Sequence, residues 1–149
     1  MTADDPTPLD GLGQLAAMIA TGRQPPIGET MNFSLVEFDR GRAVFEGEPD
    51  HSVYNPIGLV HGGYAATLLD SACGIAVHSQ LGVGQGYTTL ELKIAYHRGL
   101  SDKSGRVRAV GRVVTMGRRV AFAEGTLHDG NGRLCATATS TLLVFDLPR

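Results

Sequence analysis

The sequence predicts an α+β domain in which one long helix is wrapped by an antiparallel sheet of about five to six strands. Helical periodicity with a small and apolar composition is concentrated in one central stretch, residues 62–80. Four long segments in which apolar and polar residues alternate follow that stretch. Because helix and strands are segregated along the chain, the pattern is typical of α+β proteins.

The composition is that of one globular domain and excludes several classes of function. The chain has 149 residues and a net charge of −2, which argues against nucleic-acid binding. No apolar run reaches the ~18 uncharged residues of a membrane span, and the acidic start is unlike a secretory signal, so we expect a cytoplasmic protein. Cys73 and Cys135 lack metal-ligand spacing; we expect core thiols and no metal site.

Residues 1–30 are predicted to form an N-terminal tail, loose over residues 1–8, and one short helix, and residues 31–149 a single domain. Glycine and prolines from Gly22 onward end the short helix. Its apolar residues recur at helical spacing: Leu12, Leu15, Ala16 and Ile19.

Apolar residues recur at every second position on both sides of the central helix. Residues 31–38 and 42–48 are predicted to pair as a hairpin, and a proline-containing loop leads from them into the helix. After the helix, glycine-containing turns separate four predicted strands: residues 87–97, 104–116, 118–129 and 133–145.

Asp70 is the only acidic or basic residue, histidines aside, between Asp50 and Glu91. Such an acid inside an apolar helix is either satisfied by hydrogen-bond donors or held ready for chemistry. A helical wheel places it on a small and polar stripe that can face a site or a second copy of the chain. The stripe consists of Gly63, Thr67, Asp70, Ser71, Gly74 and His78.

His61, Gly62 and Gly63 are expected at the first turn of this helix. The first amides of a helix lack partners within it and carry partial positive charge, and glycine leaves the amide uncovered. A substrate carbonyl oxygen can therefore bind there, as in an oxyanion site. Asp70 would be the nucleophile or the general base, and Asn55 could orient a water molecule or the carbonyl.

The spacing of these residues requires a second chain. Eight helical residues rise ~12 Å, whereas reacting atoms must approach within ~3–3.5 Å. Asp70 therefore cannot easily serve the Gly62 amide of its own helix. An antiparallel copy of the helix could supply the acid, which predicts a homodimer with two composite sites.

The motif Asn55-Pro-Ile-Gly-Leu-Val-His-Gly-Gly63, followed by Thr67-Leu-Leu-Asp70, resembles the hotdog-fold acyl-CoA thioesterases of the phenylacetic-acid-degradation type. The resemblance covers residues 31–145. It implies a hotdog fold, in which a curved antiparallel sheet wraps the central helix, and assembly into dimers and often tetramers. It also implies hydrolysis of acyl-CoA without a cofactor, coenzyme A being part of the substrate.

The same resemblance assigns roles by position. Asp70 corresponds to the catalytic carboxylate, Gly62 to the backbone donor and Asn55 to the polar residue before the helix. Many members hold the attacking water with a serine or threonine at the start of the next strand. Thr89 aligns best with that residue, but Thr88 is adjacent, and the sequence leaves the choice open.

The remaining substrate contacts are expected from the helix start and from basic residues. His61, Gly63 and Thr67 would line the substrate site, although we expect His61 mainly to fix the loop–helix junction. Seven of the thirteen Lys and Arg residues lie between Arg98 and Arg119. Three share strand parity and are expected on a solvated outer face: Arg106, Arg108 and Arg112. Four are candidates for coenzyme A phosphates: Arg98, Lys103, Arg118 and Arg119.

Two other functions compete with thioester hydrolysis. A hotdog hydratase or dehydratase would need an acid–base pair such as Asp with His. A non-catalytic acyl-CoA binding module would have no use for the isolated Asp70.

Overall fold

In the computed structural model, which describes residues 7–149, a six-stranded antiparallel sheet curves around a 17-residue helix. The predicted α+β architecture is confirmed. Two short helices come first, α1 (Gly11–Ala20) and α2 (Pro26–Met31), followed by the hairpin strands β1 (Phe33–Asp39) and β2 (Arg42–Gly47). A 3-10 turn (His51–Val53) precedes the long helix α3 (Gly62–His78). Four strands complete the chain: β3 (Gln85–Tyr96), β4 (Val107–Met116), β5 (Val120–His128) and β6 (Leu134–Asp146).

The strand order in the sheet is β1-β2-β4-β5-β6-β3. The strand that follows α3 therefore crosses to the far edge and pairs there with β6. Its 12 residues form an edge strand, and its inner face lies beside one flank of α3. This topology brings the middle of β3 next to the middle of α3.

Two glycines allow α3 to lie directly on the sheet. Gly111 of β4 and Gly125 of β5 are opposite each other in register. A methyl group at Gly111 would overlap the backbone of Ala72, and one at Gly125 would lie 3.1 Å from Leu69 Cδ2. The backbone contact at Gly111 thus fixes how far the helix stands from the sheet.

The face of α3 opposite the small and polar stripe is buried in the main core, which includes Leu68, Leu69 and Ala72. The small and polar stripe is only half-buried from Gly63 to Ser71, whereas Gly74 is buried and His78 contacts another helix. The Tyr87 ring covers Gly74 and buries it, since a methyl group there would lie 3.0 Å from the ring. His78 Nε2 lies 2.9 Å from Gln14 Oε1 of α1, and burial lowers its pKa.

The N-terminal region contains one helix more than the sequence predicted. Helix α2 has a proline at its first position and ends at Asn32, which is left-handed with φ 55°. The first strand consequently begins at Phe33, two residues later than predicted. Helix α1 buries Leu15 in the main core. The tail predicted for residues 1–8 lies, as far as residue 6, outside the described residues.

None of the helices in residues 7–149 is long and apolar enough to cross a membrane.

Candidate active site

The first turn of α3 presents one amide without a partner. His61 is the N-cap residue, and its Nδ1 accepts a hydrogen bond of 2.7 Å from the Gly63 amide. Among the described residues, none accepts a hydrogen bond from the Gly62 amide. The cap therefore fixes the loop–helix junction and leaves the Gly62 N–H free, at the positive end of the helix dipole.

Asn55 shapes the loop that leads into this turn. Its Oδ1 accepts hydrogen bonds of 3.1 Å from the amides of Ile57 and of Leu59. Backbone amides can bond only the oxygen of the side chain, so the Asn55 Nδ2 group points away from them. Asn55 can thus donate to a water molecule or a carbonyl oxygen, but it has little capacity left to accept. Of the ways in which Asn55 could orient a water molecule or the carbonyl, only hydrogen-bond donation through Nδ2 is left.

Asp70 lies half-buried between α3 and β3, eight residues along the helix from Gly62. Thr89 Oγ1 donates a hydrogen bond of 2.8 Å to Asp70 Oδ1. A β-bulge at Leu90, where the register shifts between Thr89 and Glu91, turns Thr89 toward the helix. Thr88 is exposed and pairs with Leu143 on the outer face. Of the two threonines, Thr89 is therefore the one that contacts the acid.

The neighbours of Asp70 hold their protons at neutral pH. Burial, with a smaller contribution from the Asp70 charge, raises the pKa of the Cys73 thiol to about 12. Burial and Asp70 likewise raise the pKa of Tyr87 to about 12. Cys73 is therefore a thiol rather than a reactive thiolate, as expected for a core cysteine. Burial also raises the pKa of Cys135.

A cleft of about 260 Å³ opens beside the first turn of α3. Its walls are mostly apolar and include Ala65, Leu100 and Leu127, and Gly62 lies at its edge. Tyr96 forms another wall of the cleft and was not among the site residues predicted from the sequence. The alternation of apolar and polar residues in β3 places Tyr96 on the helix side, and this alternation is the sequence feature that could have identified it as a site residue.

The four basic residues proposed to bind coenzyme A lie in three separate places on the domain. Arg98 lines the cleft beside Gly62. Arg118 and Arg119 form the β4–β5 turn and line a groove with Gln85 and Asp146, at the other end of the sheet. Within one chain the structure does not bring Arg98 and this pair together. Lys103 lies apart from both, in a groove on the outer face of the sheet.

Arg106 and Arg108 also belong to that outer face, as predicted. Arg108 lies 3.1 Å from Glu37 and 3.4 Å from Glu46, and Arg106 lies 3.3 Å from Glu48. Each of these exposed ion pairs contributes little stability. They nevertheless give both arginines partners within the protein, so no bound ligand is needed to explain their positions.

The candidate site residues thus form two separate groups. We call Asn55, His61 and Gly62 the amide half-site, and Asp70 with Thr89 the acid half-site. Gly63 and Thr67 lie between them on α3, where Thr67 Oγ1 donates to the Gly63 carbonyl at 2.8 Å. Because both half-sites project from one straight helix, a rise of ~12 Å separates them.

Comparison with known proteins shows the family to which the chain belongs. The family model of the thioesterase superfamily matches residues 57–136, which include the start of α3 and Asp70. The chain belongs to the thioesterase superfamily. It is accordingly a thioester hydrolase with the hotdog fold.

Individual relatives agree with this family. The proofreading thioesterase EntH of Cronobacter turicensis is 32% identical over 96 residues, which are 64% of this chain and 69% of that protein. A variant of the phenylacetic acid degradation protein PaaI of Thermus thermophilus is 28% identical, with a TM-score of 0.73 over 80% of this chain and 98% of that one. The smu.793 protein of Streptococcus mutans bound to acetyl CoA is 28% identical, with a TM-score of 0.71 over 79% and 92% of the two chains.

The cap at His61 predicts a difference between two substitutions. His61→Ala removes the acceptor for the Gly63 amide and should lower the free energy of unfolding by about 1 kcal/mol. His61→Asn supplies another capping acceptor and should retain wild-type stability and most of the thioesterase activity. Urea denaturation and thiol release measure the two properties. A stable His61→Asn protein without activity would contradict a purely capping role and indicate that the imidazole takes part in the chemistry.

Proposed function

We propose that the protein hydrolyses the thioester of an acyl- or aryl-acyl-CoA to the free acid and coenzyme A. The observation that carries the proposal is the unpartnered Gly62 amide at the start of α3, in a chain of the thioesterase superfamily. Coenzyme A as the thiol is supported by the similar S. mutans structure, which holds acetyl CoA.

The Gly62 amide would bind the thioester carbonyl oxygen. Negative charge develops on that oxygen as the carbonyl carbon becomes tetrahedral, and the aligned N–H and helix dipole stabilise it. Asn55 Nδ2 is a second donor, available to the same oxygen or to the attacking water. The fixed loop around Asn55 means that this donor needs no reorganisation during the reaction.

Asp70 would activate water or attack the carbonyl carbon itself. As a general base it takes a proton from water while the hydroxide oxygen bonds to the acyl carbon; the carbon–sulfur bond then breaks, and the proton passes to the departing thiolate. As a nucleophile its carboxylate oxygen bonds to the acyl carbon while the carbon–sulfur bond breaks and the coenzyme A thiolate leaves; water then hydrolyses the resulting anhydride to the free acid and Asp70, and the proton released passes to the thiolate. The Thr89 hydroxyl orients the carboxylate in either mechanism.

Two half-sites ~12 Å apart on one helix lead us to propose a homodimer with composite sites. An antiparallel partner helix would place its acid half-site against the amide half-site of the first chain. The half-buried stripe from Gly63 to Ser71 has side chains small enough for that approach. Strand β3 lies at the edge of the sheet, and unpaired strand edges favour pairing with another chain. Two large side chains of this strand are also exposed, Leu90 by 58% and Tyr96 by 54%. Tetramers would be dimers of such dimers.

The competing functions find less support in the site. His61 uses its Nδ1 for the helix cap and His78 is bonded to Gln14, so both imidazoles already have structural partners. A binding module would not need the Thr89–Asp70 pair.

Gly62 offers a direct test of the amide donor. Gly62→Pro replaces the N–H with a ring methylene, and proline suits the first position of a helix. His61, with φ −58° and ψ 136°, already has the conformation that a residue before proline adopts. We expect thiol release from a panel of acyl-CoAs to fall by about 10²–10³ in kcat. Gly62→Ala keeps the amide and adds the same Cβ, so it should lose much less.

Asp70→Asn provides the second arm of this test. It preserves the shape of the side chain and should abolish turnover while leaving a folded protein. Equal activity of Gly62→Pro and Gly62→Ala would refute the donor role, and binding of acyl-CoA without thiol release by the wild type would identify a binding module.

The position of Arg98 beside the cleft predicts that it binds a phosphate of coenzyme A. Arg98→Ala should raise KM for acyl-CoA severalfold but leave KM unchanged for the acyl-pantetheine thioester, which lacks the nucleotide phosphates. Arg118→Ala/Arg119→Ala tests the other candidates in the same way. Arg112→Ala, on the outer face, is the matched control. Unchanged KM in all variants would exclude these arginines from phosphate binding.

A further inference from the structure

The Gly62–Gly63 peptide is held at both ends by side chains. At one end, the Gly63 N–H donates to His61 Nδ1 at 2.7 Å. At the other, the Tyr96 hydroxyl donates to the Gly62 carbonyl oxygen at 2.6 Å. The two side chains come from different parts of the chain: His61 from the loop before α3 and Tyr96 from the end of β3.

This peptide adjoins the free amide, and its orientation affects where that amide points. Consecutive glycines have more accessible backbone conformations than any other pair, and the first turn of a helix lacks half of its backbone hydrogen bonds. Fixing the Gly62–Gly63 peptide plane limits rotation about the Gly62 backbone. The Gly62 N–H is thereby held in one direction before substrate arrives.

Tyr96 is anchored independently of α3. It pairs with Ala136 of β6 in the sheet register, so its hydroxyl is positioned by β3 rather than by the helix. The contact is also close, because a Cβ atom at Gly62 would lie 3.1 Å from the Tyr96 hydroxyl oxygen. A glycine at position 62 therefore leaves the amide open and lets the tyrosine reach the carbonyl.

We propose that Tyr96 is a positioning residue for the reaction: its hydroxyl fixes the Gly62–Gly63 peptide and so aims the Gly62 amide at the thioester carbonyl. The role rests on the proposed function of that amide. Tyr96 does not need to touch the reacting atoms. It acts through the Gly62 carbonyl, together with the His61 cap on the same peptide.

Tyr96→Phe tests the role, because it removes the hydroxyl and keeps the ring that lines the cleft. We expect kcat for thioester hydrolysis to fall about tenfold, since a misaimed donor loses its effect mainly in the transition state, with KM changed less than twofold. Hydrogen exchange of the Gly63 amide should become faster. Tyr64→Phe is the matched control: it removes a tyrosine hydroxyl from the same helix turn, where that hydroxyl lies 3.4 Å from the Asn32 carbonyl, and should change neither quantity.

The possible results separate this role from the proposed function. If the wild type hydrolyses thioesters but Tyr96→Phe keeps the wild-type kcat, the positioning role is wrong and the function stands. A raised KM at unchanged kcat would overturn the role by showing that Tyr96 binds substrate directly. Equal losses in Tyr96→Phe and Tyr64→Phe would overturn it by showing general weakening of the helix turn. Absence of thiol release by the wild type would overturn the proposed function, and the role with it.

Discussion

The fixed rise of α3 is the constraint on which the site depends. Gly62 and Asp70 project from one rigid helix, and eight residues place them ~12 Å apart. The rise per residue sets that distance, and the close approach of Gly111 to the backbone of Ala72 holds the helix against the sheet. A single chain therefore holds two separate half-sites, and the proposed chemistry needs an acid and an amide that belong to different copies.

Each half-site keeps its functional group available through a neighbouring hydrogen bond. The His61 side chain satisfies the Gly63 amide, so the helix start is capped while the Gly62 amide stays free. The Thr89 hydroxyl donates to one oxygen of Asp70 and leaves the other for water or substrate. Both arrangements are preorganised, which is the condition under which fixed dipoles stabilise a transition state most effectively.

The fold was largely predictable from the sequence because periodicity reports burial, but the details of the site depend on register. Strict alternation from Leu92 would have placed Thr88 toward the helix; the bulge at Leu90 reverses the parity and brings Thr89 there instead. Alternation alone places Tyr96 on the helix side, but its contact with Gly62 joins residues 34 positions apart, and periodicity does not report such a contact. Helix α2 was missed because six residues show too little periodicity.

The central claim, that the acid of one chain works with the amide of another, can be measured directly with mixed dimers. Chains carrying Asp70→Asn and chains carrying Gly62→Pro are each expected to be inactive alone. After refolding together at equal amounts, half of the dimers are mixed and each contains one intact composite site, so about a quarter of the wild-type kcat per chain should return. If both half-sites served substrate within one chain, every site in the mixture would carry a defect, and no activity would return.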